Sequence, residues 1–379
     1  MTPADWIYLD YNASTPMAPE VVAVMEQSLR SQAHPSSKHP AGLRAAALLR
    51  QAREHVAKSL QADPEEIVFC SGSTEAANHV LKGLAFAPRP THEPLHFITS
   101  AVDHAATLEP LRFLQQRFGH QVTVLDVDSQ GSLSAAEVEA VIQPNTALVS
   151  LIHAQNEVGT LLPLEEIGEL CRARGVLFHV DAAQSYGKAC VSVQALKADF
   201  LQIAGHKIYA PKGVGALYIR QGLQLEPLLH GAGHEGGSRS GTPAPALIAG
   251  LGEACRLVTE RGLLSAAPAD RIWEILSSEL GDRVRRNGHP QNRVPNVLHL
   301  TFEGCSGQEL LDAAQICAST GAACHSALGS PVLTAMGFTP QQAAGSVRLS
   351  CGRLTTVEEA ETAARRLVQA ARGAPALPH

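Results

Sequence analysis

The sequence predicts an α/β protein in which a large domain is built on a mainly parallel sheet and a smaller α+β domain follows it. Three observations lead to this prediction. Short apolar runs rich in β-branched residues recur between residues 67 and 219, and segments with helical spacing of apolar residues separate them. From about residue 263 this alternation gives way to a different order of helices and strands. Strands that alternate with helices are typical of a parallel sheet covered on both faces.

The strand candidates of the large domain are, in chain order, 67–69, 97–99, 122–125, 147–152, 176–180, 200–203 and 215–219. Between them, segment 164–174 places Leu164, Ile167, Leu170 and Cys171 on one helical face, as expected of a helix that packs against the sheet. The smaller domain is expected to contain a helix over 269–280, a strand over 296–302, a helix from Gly307, a strand over 346–350 and a helix from Thr356. We predict a large domain at 15–260 and a small domain at 1–14 and 261–379.

Composition excludes several classes of protein. The 379 residues include 30 Lys and Arg against 36 Asp and Glu, a net charge of -6 without charge blocks, which argues against nucleic-acid or membrane-surface binding as the main function. The N-terminal residues lack the pattern of a signal peptide, and no apolar run is long enough to span a membrane. We therefore expect a soluble, cytoplasmic protein.

The eight cysteines indicate neither a disulfide framework nor a structural zinc site. They are few for the length of the chain, and no two of them are spaced as Cys-x-x-Cys. In a reduced compartment such residues are packing residues, catalytic thiols or metal ligands.

Three short segments carry the chemistry. Lys207 follows a predicted buried strand, Asp181 ends another strand, and Ser71-Gly-Ser-Thr74 joins a strand to a helix. Taken singly, each has an ordinary explanation: a solvated loop lysine, a turn-forming acid and a helix cap. Together they match three needs of one cofactor, pyridoxal phosphate: a lysine for its aldehyde, an acid for its ring nitrogen and a helix N-terminus for its phosphate.

The sequence also resembles a known family, the cysteine desulfurases and selenocysteine lyases, which are class V aminotransferase-like, fold-type I enzymes. The resemblance covers nearly the whole chain in order. It rests on segments 8–16, 71–75, 103–104, 155–157, 181–184, 205–207, 239–242, 321–324 and 348–353.

The resemblance implies a role for each candidate site residue. Lys207 would bind the cofactor aldehyde and then move the substrate α-proton, His104 would stack on the ring, and Asp181 would pair with the ring nitrogen. Arg348 would bind the substrate carboxylate, which suits the planar guanidinium fork. The other expected contacts are Gln184 and Asn156 to the ring oxygen and the substrate, Ser73, Thr74 and His206 to the phosphate, and Thr242 to the phosphate of the second subunit of a homodimer.

Cys324 is the predicted nucleophile. It lies in a Gly- and Ser-containing stretch without an apolar stripe, beside His325, and the other seven cysteines are expected to be packing residues. The resemblance implies that Cys324 takes sulfur or selenium from L-cysteine or L-selenocysteine and leaves L-alanine. It also implies a sulfur-acceptor protein as a partner.

Alternatives stay open at this point. The segment around Cys324 is similar to that of selenocysteine lyases, and a class V carbon–sulfur lyase or aminotransferase would keep Lys207 and Asp181 without needing the thiol. The sequence also departs from the family pattern at His34, Ala204 and Gly236, where relatives usually carry Asn, Ser and Arg.

Overall fold

The computed structural model describes residues 6–30, 33–89, 93–320 and 329–373. Its strands are β1 (Ile7–Tyr8), β2 (Ile67–Cys70), β3 (His96–Ser100), β4 (Gln121–Leu125), β5 (Thr146–Ile152), β6 (Leu177–Asp181), β7 (Phe200–Ala204), β8 (Gly215–Ile219), β9 (Val284–Arg286), β10 (Val297–Phe302), β11 (Ile316–Cys317) and β12 (Ser346–Ser350).

The α-helices connect these strands and cover their sheets. They are α1 (Pro19–Leu29), α2 (Pro40–Leu60), α3 (Ser73–Phe86), α4 (Ala105–Phe118), α5 (Ala135–Ala140), α6 (Leu164–Arg174), α7 (Pro245–Arg261), α8 (Ala267–Leu280), α9 (Gly307–Ala314), α10 (Pro331–Ala335), α11 (Pro340–Ala344) and α12 (Val357–Gly373). None of the helices in these described ranges is both long and apolar enough to cross a membrane.

The large sheet has the strand order β2-β8-β7-β6-β5-β3-β4. All neighbouring strands run parallel except β8, which is antiparallel to both β2 and β7. Apolar side chains pack on both faces of this sheet in two core clusters. The predicted α/β fold with a mainly parallel sheet is confirmed.

The C-terminal part of the chain forms a second, three-stranded antiparallel sheet in the order β12-β10-β9. Helices α8, α9 and α12 cover it, and their apolar side chains share a separate core. Leu9 belongs to that core, because β1 pairs with β11 and Asp10 bridges to Ser350. The N-terminal segment therefore packs with the C-terminal sheet, while the domain boundaries stay a prediction.

The cysteines are only partly the packing residues that we expected. Cys70, Cys171, Cys255, Cys305 and Cys351 are buried and free. Cys190 is exposed in the loop after Lys188, because the next residue, Val191, is the one that turns inward. The predicted packing role is wrong for Cys190, and Cys324 lies outside the described residues.

Candidate functional site

The carboxyl ends of β6 and β7 bring two of the predicted residues to one edge of the sheet. Asp181 is the last residue of β6 and pairs in register with Gln202 of β7, whose end leads into a short 3-10 helix, Gly205–Lys207. Asp181 is buried, and its Oδ1 accepts a hydrogen bond from the main-chain N–H of Ala183 at 2.9 Å. In open α/β sheets this edge is where ligands bind.

Lys207 and Gln184 meet on one main-chain oxygen. The Nζ atom of Lys207 donates to the carbonyl oxygen of Asn12 at 2.5 Å and to that of Ala13 at 3.0 Å. The Nε2 atom of Gln184 donates to the same oxygen of Asn12 at 2.9 Å. The N-terminal segment thus lies directly over the two predicted cofactor-binding residues.

Lys188 is a second amine in this place. Its Nζ donates to Oε1 of Gln184 at 2.6 Å and to Oδ1 of Asn12 at 2.8 Å. Burial lowers the pKa of Lys188 well below its ordinary value, and the nearby positive charges of Lys207 and Arg348 lower it further. The sequence reasoning missed Lys188, although a lysine between Tyr186-Gly and Ala-Cys-Val191 is an unusual interruption of an apolar stretch.

The N-terminus of α3 provides a place for an anion. Ser73 is the first helical residue, and its Oγ is buried without a hydrogen-bond partner among the described residues. Gly72, which precedes it, adopts φ 150°, and β8 passes so closely that a Cβ at Gly215 would lie 2.8 Å from the Cα of Gly72. A buried hydroxyl with no partner, next to free main-chain N–H groups, suits a bound phosphate. Thr74 follows on the exposed side of the same turn.

Arg348 and Asn156 form the substrate end of the site. The Nη1 atom of Arg348 donates to the main-chain oxygen of Asn156 at 3.0 Å, and Asn12 Nδ2 donates to the same oxygen at 3.3 Å. The Nη2 atom of Arg348 pairs with Asp10 at 2.8 Å. Arg348 is 7% exposed, so the surface ion pair that is the usual fate of an arginine does not apply.

Two of the predicted site residues are histidines, and their surroundings differ. His104 is the N-cap of α4, where its Nδ1 accepts from the N–H of Ala106 at 3.1 Å, so the neutral ring carries its proton on Nε2. For His206, burial and then the charge of Lys207 lower the pKa to about 4, which keeps the ring neutral. His206 also accepts from Thr15 through its main-chain oxygen.

Asp103 precedes His104 and is fully buried. Its Oδ2 accepts from the N–H and the hydroxyl of Ser100, at 2.9 and 2.6 Å. Burial raises the pKa of Asp103 to about 7, and the charge of Asp181 contributes to the increase. Two carboxyl groups therefore lie near the ring-nitrogen end of the predicted site, and one of them holds its proton close to neutral pH.

Thr242 makes no contact with the other candidate residues in the described ranges, and Cys324 lies outside those ranges. Thr242 is exposed in the loop before α7. That loop is fastened by ion pairs of Glu235 with Arg53 and of Arg239 with Glu75 on α3. Within it, Gly236 adopts φ 64°, a conformation that favours glycine.

The segment that carries Cys324 is described at both flanks, and both flanks meet the site. Ser319 pairs with Arg348 through two main-chain hydrogen bonds. Ser330 donates to Oε2 of Glu157 at 2.6 Å, and Glu157 follows Asn156 directly. Burial raises the pKa of Glu157 to about 6. Glu157 lies in segment 155–157, and Asp10 and Asn12 lie in segment 8–16; the family resemblance rests on both segments but assigned no role to these three residues.

These residues fit pyridoxal phosphate. Ser73, with its partnerless hydroxyl, follows β2, the buried Asp181 ends β6, and Lys207 follows β7; these three strands run in the same direction, so their carboxyl ends lie at one edge of the sheet. The arrangement has the three functions that the cofactor needs, in one edge of one sheet.

Comparison with known proteins agrees with this geometry. The family model for aminotransferase class-V matches residues 7–362. The chain is 42% identical over 370 residues to the cysteine desulfurase IscS of Tolumonas auensis, which covers 94% of this chain and 90% of that protein. It is 41% identical to the mitochondrial cysteine desulfurase of Saccharomyces cerevisiae, covering 94% and 73% of the two chains.

Solved structures give the same result. A NifS-like protein superimposes with a TM-score of 0.87 at 33% identity, covering 96% of this chain and 98% of that one. SspA in complex with cysteine superimposes with a TM-score of 0.81 at 37% identity, covering 91% and 98%. The chain therefore belongs to the class-V aminotransferase family, within its group of cysteine desulfurases.

Proposed function

We propose that this cysteine desulfurase uses pyridoxal phosphate to remove sulfur from L-cysteine, with L-alanine as product and a persulfide on Cys324. The observation that carries the proposal is the convergence of Lys207, Gln184 and Arg348 on one short segment, residues 10–13. An amine, an amide donor and a guanidinium placed around one point can hold a cofactor aldehyde, its ring oxygen and an amino-acid carboxylate together.

Each of these side chains has a defined task. When bound, pyridoxal phosphate supplies an electron sink for the charge that develops at the substrate α-carbon. Asp181 keeps the ring nitrogen protonated, and Lys207 takes the α-proton and returns a proton during turnover. Arg348 holds the substrate carboxylate, and the hydroxyls of Ser73 and Thr74 hold the phosphate together with His206. His104 covers the ring with its Nε2–H available for proton transfer.

Cys324 is the proposed acceptor of sulfur. Its thiolate attacks the substrate sulfur, a sulfur–sulfur bond forms, and the electron pair of the carbon–sulfur bond stays with the substrate carbon, which becomes the methyl group of alanine after protonation. Ser319 and Ser330, on either side of Cys324, are fastened beside Arg348 and Asn156. Both flanks of the segment that carries Cys324 thus contact the substrate end of the site, which supports Cys324 as the acceptor.

The homodimer, the acceptor and the cytoplasmic location are part of the same proposal. Thr242 is exposed on a loop held by two ion pairs, which leaves its hydroxyl available to the phosphate of a second subunit. A persulfide needs a thiol to receive its sulfur, so we expect an acceptor protein that carries one.

The test compares L-cysteine and L-selenocysteine with the wild type, Lys207→Ala and Cys324→Ala, and with Cys190→Ala as the matched control for loss of a thiol. We expect alanine release from L-cysteine to be lost in Lys207→Ala and Cys324→Ala and retained in Cys190→Ala. Loss in Cys324→Ala with cysteine alone would indicate a selenocysteine lyase. Retention with both substrates would indicate an aminotransferase or a lyase that does not need the thiol.

A further inference from the structure

Lys188 is buried, with 3% of its surface exposed, in the turn that follows Gln184. Its two hydrogen-bond partners are amide oxygens, Oε1 of Gln184 at 2.6 Å and Oδ1 of Asn12 at 2.8 Å. No carboxylate forms an ion pair with Lys188 in the part of the chain that the structure describes. Lys188 and Lys207 also line the same small cavity. Burial of a lysine without an acidic partner is unfavourable, so its place beside the predicted catalytic lysine suggests a functional role.

These contacts fix which way two amide groups face. Whether charged or neutral, a lysine amine has enough N–H bonds to donate to both amide oxygens, so each amide turns its oxygen toward Lys188. Gln184 therefore presents its nitrogen on the opposite side, where it donates to the carbonyl of Asn12 beside Lys207. The reverse orientation would place the amide oxygen against that carbonyl and the amide nitrogen against Lys188. Both contacts of Gln184 thus favour the same orientation.

The hydrogen bond from Lys188 is expected to set the orientation of the Gln184 amide once a ligand is bound. In the ligand-free protein the Nε2 atom of Gln184 donates to the carbonyl oxygen of Asn12. If the ring oxygen of a cofactor replaces that carbonyl as acceptor, the hydrogen bond from Lys188 to Oε1 still holds the amide in its orientation. We propose that Lys188 is a positioning residue that keeps the Gln184 side chain turned so that its nitrogen donates to the ring oxygen of the cofactor. This inference rests on the proposed function, because it concerns how pyridoxal phosphate is held.

The experiment measures binding and not turnover. Apoprotein is titrated with pyridoxal 5′-phosphate and with 3-deoxypyridoxal 5′-phosphate, which lacks the ring oxygen, and the ratio of the two dissociation constants reports the contact with that oxygen. The variants are Lys188→Met, Lys188→Arg and Gln184→Ala. We expect Lys188→Met to reduce the preference for the natural cofactor by roughly tenfold, the size expected for loss of one hydrogen bond to a charged oxygen. Lys188→Arg, which keeps a donor, should retain most of the preference.

The matched control is Lys58→Met, which removes an exposed lysine of α2 that is remote from the site. A purely structural role of Lys188 would weaken binding of both compounds equally, and an unchanged ratio in Lys188→Met would overturn the inference. Failure of the wild type to bind pyridoxal phosphate at all would instead count against the proposed function.

A second measurement needs no variant, in case Lys188→Met does not fold. Neutron diffraction from crystals of the wild-type protein locates the deuterium atoms of the Gln184 amide. Deuterium on the atom that faces Asn12, with none on the atom that faces Lys188, supports the assignment. Deuterium on the atom that faces Lys188 would overturn it.

Discussion

The buried Arg348 forms an ion pair with the partly exposed Asp10, with Nη2 and Oδ1 2.8 Å apart. The second terminal nitrogen of Arg348 is occupied by the main-chain oxygen of Asn156, whereas its Nε is buried without a partner among the described residues. The N-terminal segment thereby neutralises the residue that we expect to bind the substrate carboxylate. The guanidinium stays in one orientation before substrate arrives, which reduces the ordering needed on binding.

Replacement of Arg348 by lysine is expected to weaken substrate binding more than it slows the chemical step. Lysine keeps the charge but cannot form a planar, two-point contact with a carboxylate. We expect the KM for L-cysteine to increase at least roughly tenfold, with a smaller change in kcat. Steady-state kinetics check this, and Arg256→Lys is the control, because Arg256 forms a two-point contact with Glu253 on α7. Equal KM values for the two variants would contradict the assignment.

Ser73 is expected to affect cofactor affinity without affecting the stability of the apoprotein. Because its buried hydroxyl has no partner in the described residues, Ser73→Ala removes no hydrogen bond from the ligand-free protein. Affinity for pyridoxal phosphate should nevertheless fall by roughly tenfold, since a charge-assisted bond to the phosphate is lost. Equilibrium unfolding and cofactor titration measure the two effects.

Ser134→Ala provides the opposite case. Ser134 caps α5 and accepts from the N–H of Glu137 at 3.3 Å, so its loss should cost about 1 kcal/mol of stability and leave cofactor affinity unchanged. If Ser73→Ala behaves like Ser134→Ala in both measurements, Ser73 is a helix cap and not a phosphate ligand.

Asp103 is expected to make the stability of the protein depend on pH. In the unfolded chain this carboxyl ionises near 3.8, whereas burial raises its pKa in the folded protein to about 7. Folding therefore takes up a proton between these values, and the folded state loses stability as pH rises from about 4 to about 7. Relative to Asp103→Asn, which does not titrate, the wild type should lose roughly 2 to 4 kcal/mol over this range.

The measurement is the free energy of unfolding at several pH values for the wild type, Asp103→Asn and the control Asp282→Asn, which changes an exposed acid. The difference between the wild type and Asp103→Asn should vary with pH, and the difference for Asp282→Asn should stay nearly constant. A constant difference for Asp103→Asn would mean that this carboxyl ionises normally.

The sequence predicted the large sheet well and the details of its edges less well. The strand candidates agree with β2 to β8 within about two residues, because buried strands are recognisable as short apolar runs. The antiparallel direction of β8 was not predicted, since an apolar run carries no information on direction. The pair of β1 and β11 has two residues in each strand, too few to show a periodicity.

For the site, the sequence predicted the residues that follow strands or belong to recognisable motifs. Asp181 and Lys207 follow apolar runs, so their place at one edge of the sheet could be expected. Asn12 and Lys188 could not be predicted as site residues, because what identifies them is their contact with each other, and they are 176 positions apart in the chain. Asp10 could not be predicted for the same reason, because its partner Arg348 is 338 positions away.

Ser330 is expected to affect sulfur transfer through its hydrogen bond to Glu157 and not through its role as a helix cap. Its hydroxyl accepts from the N–H of Leu333 at 3.2 Å, as a helix cap, and also donates to Glu157 at 2.6 Å beside Asn156. Ser306, the cap of α9, makes only the first kind of contact, with Glu309 at 3.4 Å. Ser330→Ala and Ser306→Ala therefore differ in one respect: only the first removes a hydrogen bond that holds a flank of the segment bearing Cys324.

We expect Ser330→Ala to reduce kcat for L-cysteine roughly tenfold, because a displaced nucleophile is slow even when substrate is bound, and to leave cofactor affinity unchanged. Ser306→Ala should keep the wild-type kcat. Single-turnover measurement of alanine formation with both variants decides the matter, and equal rates would show that the contact with Glu157 does not position the nucleophile.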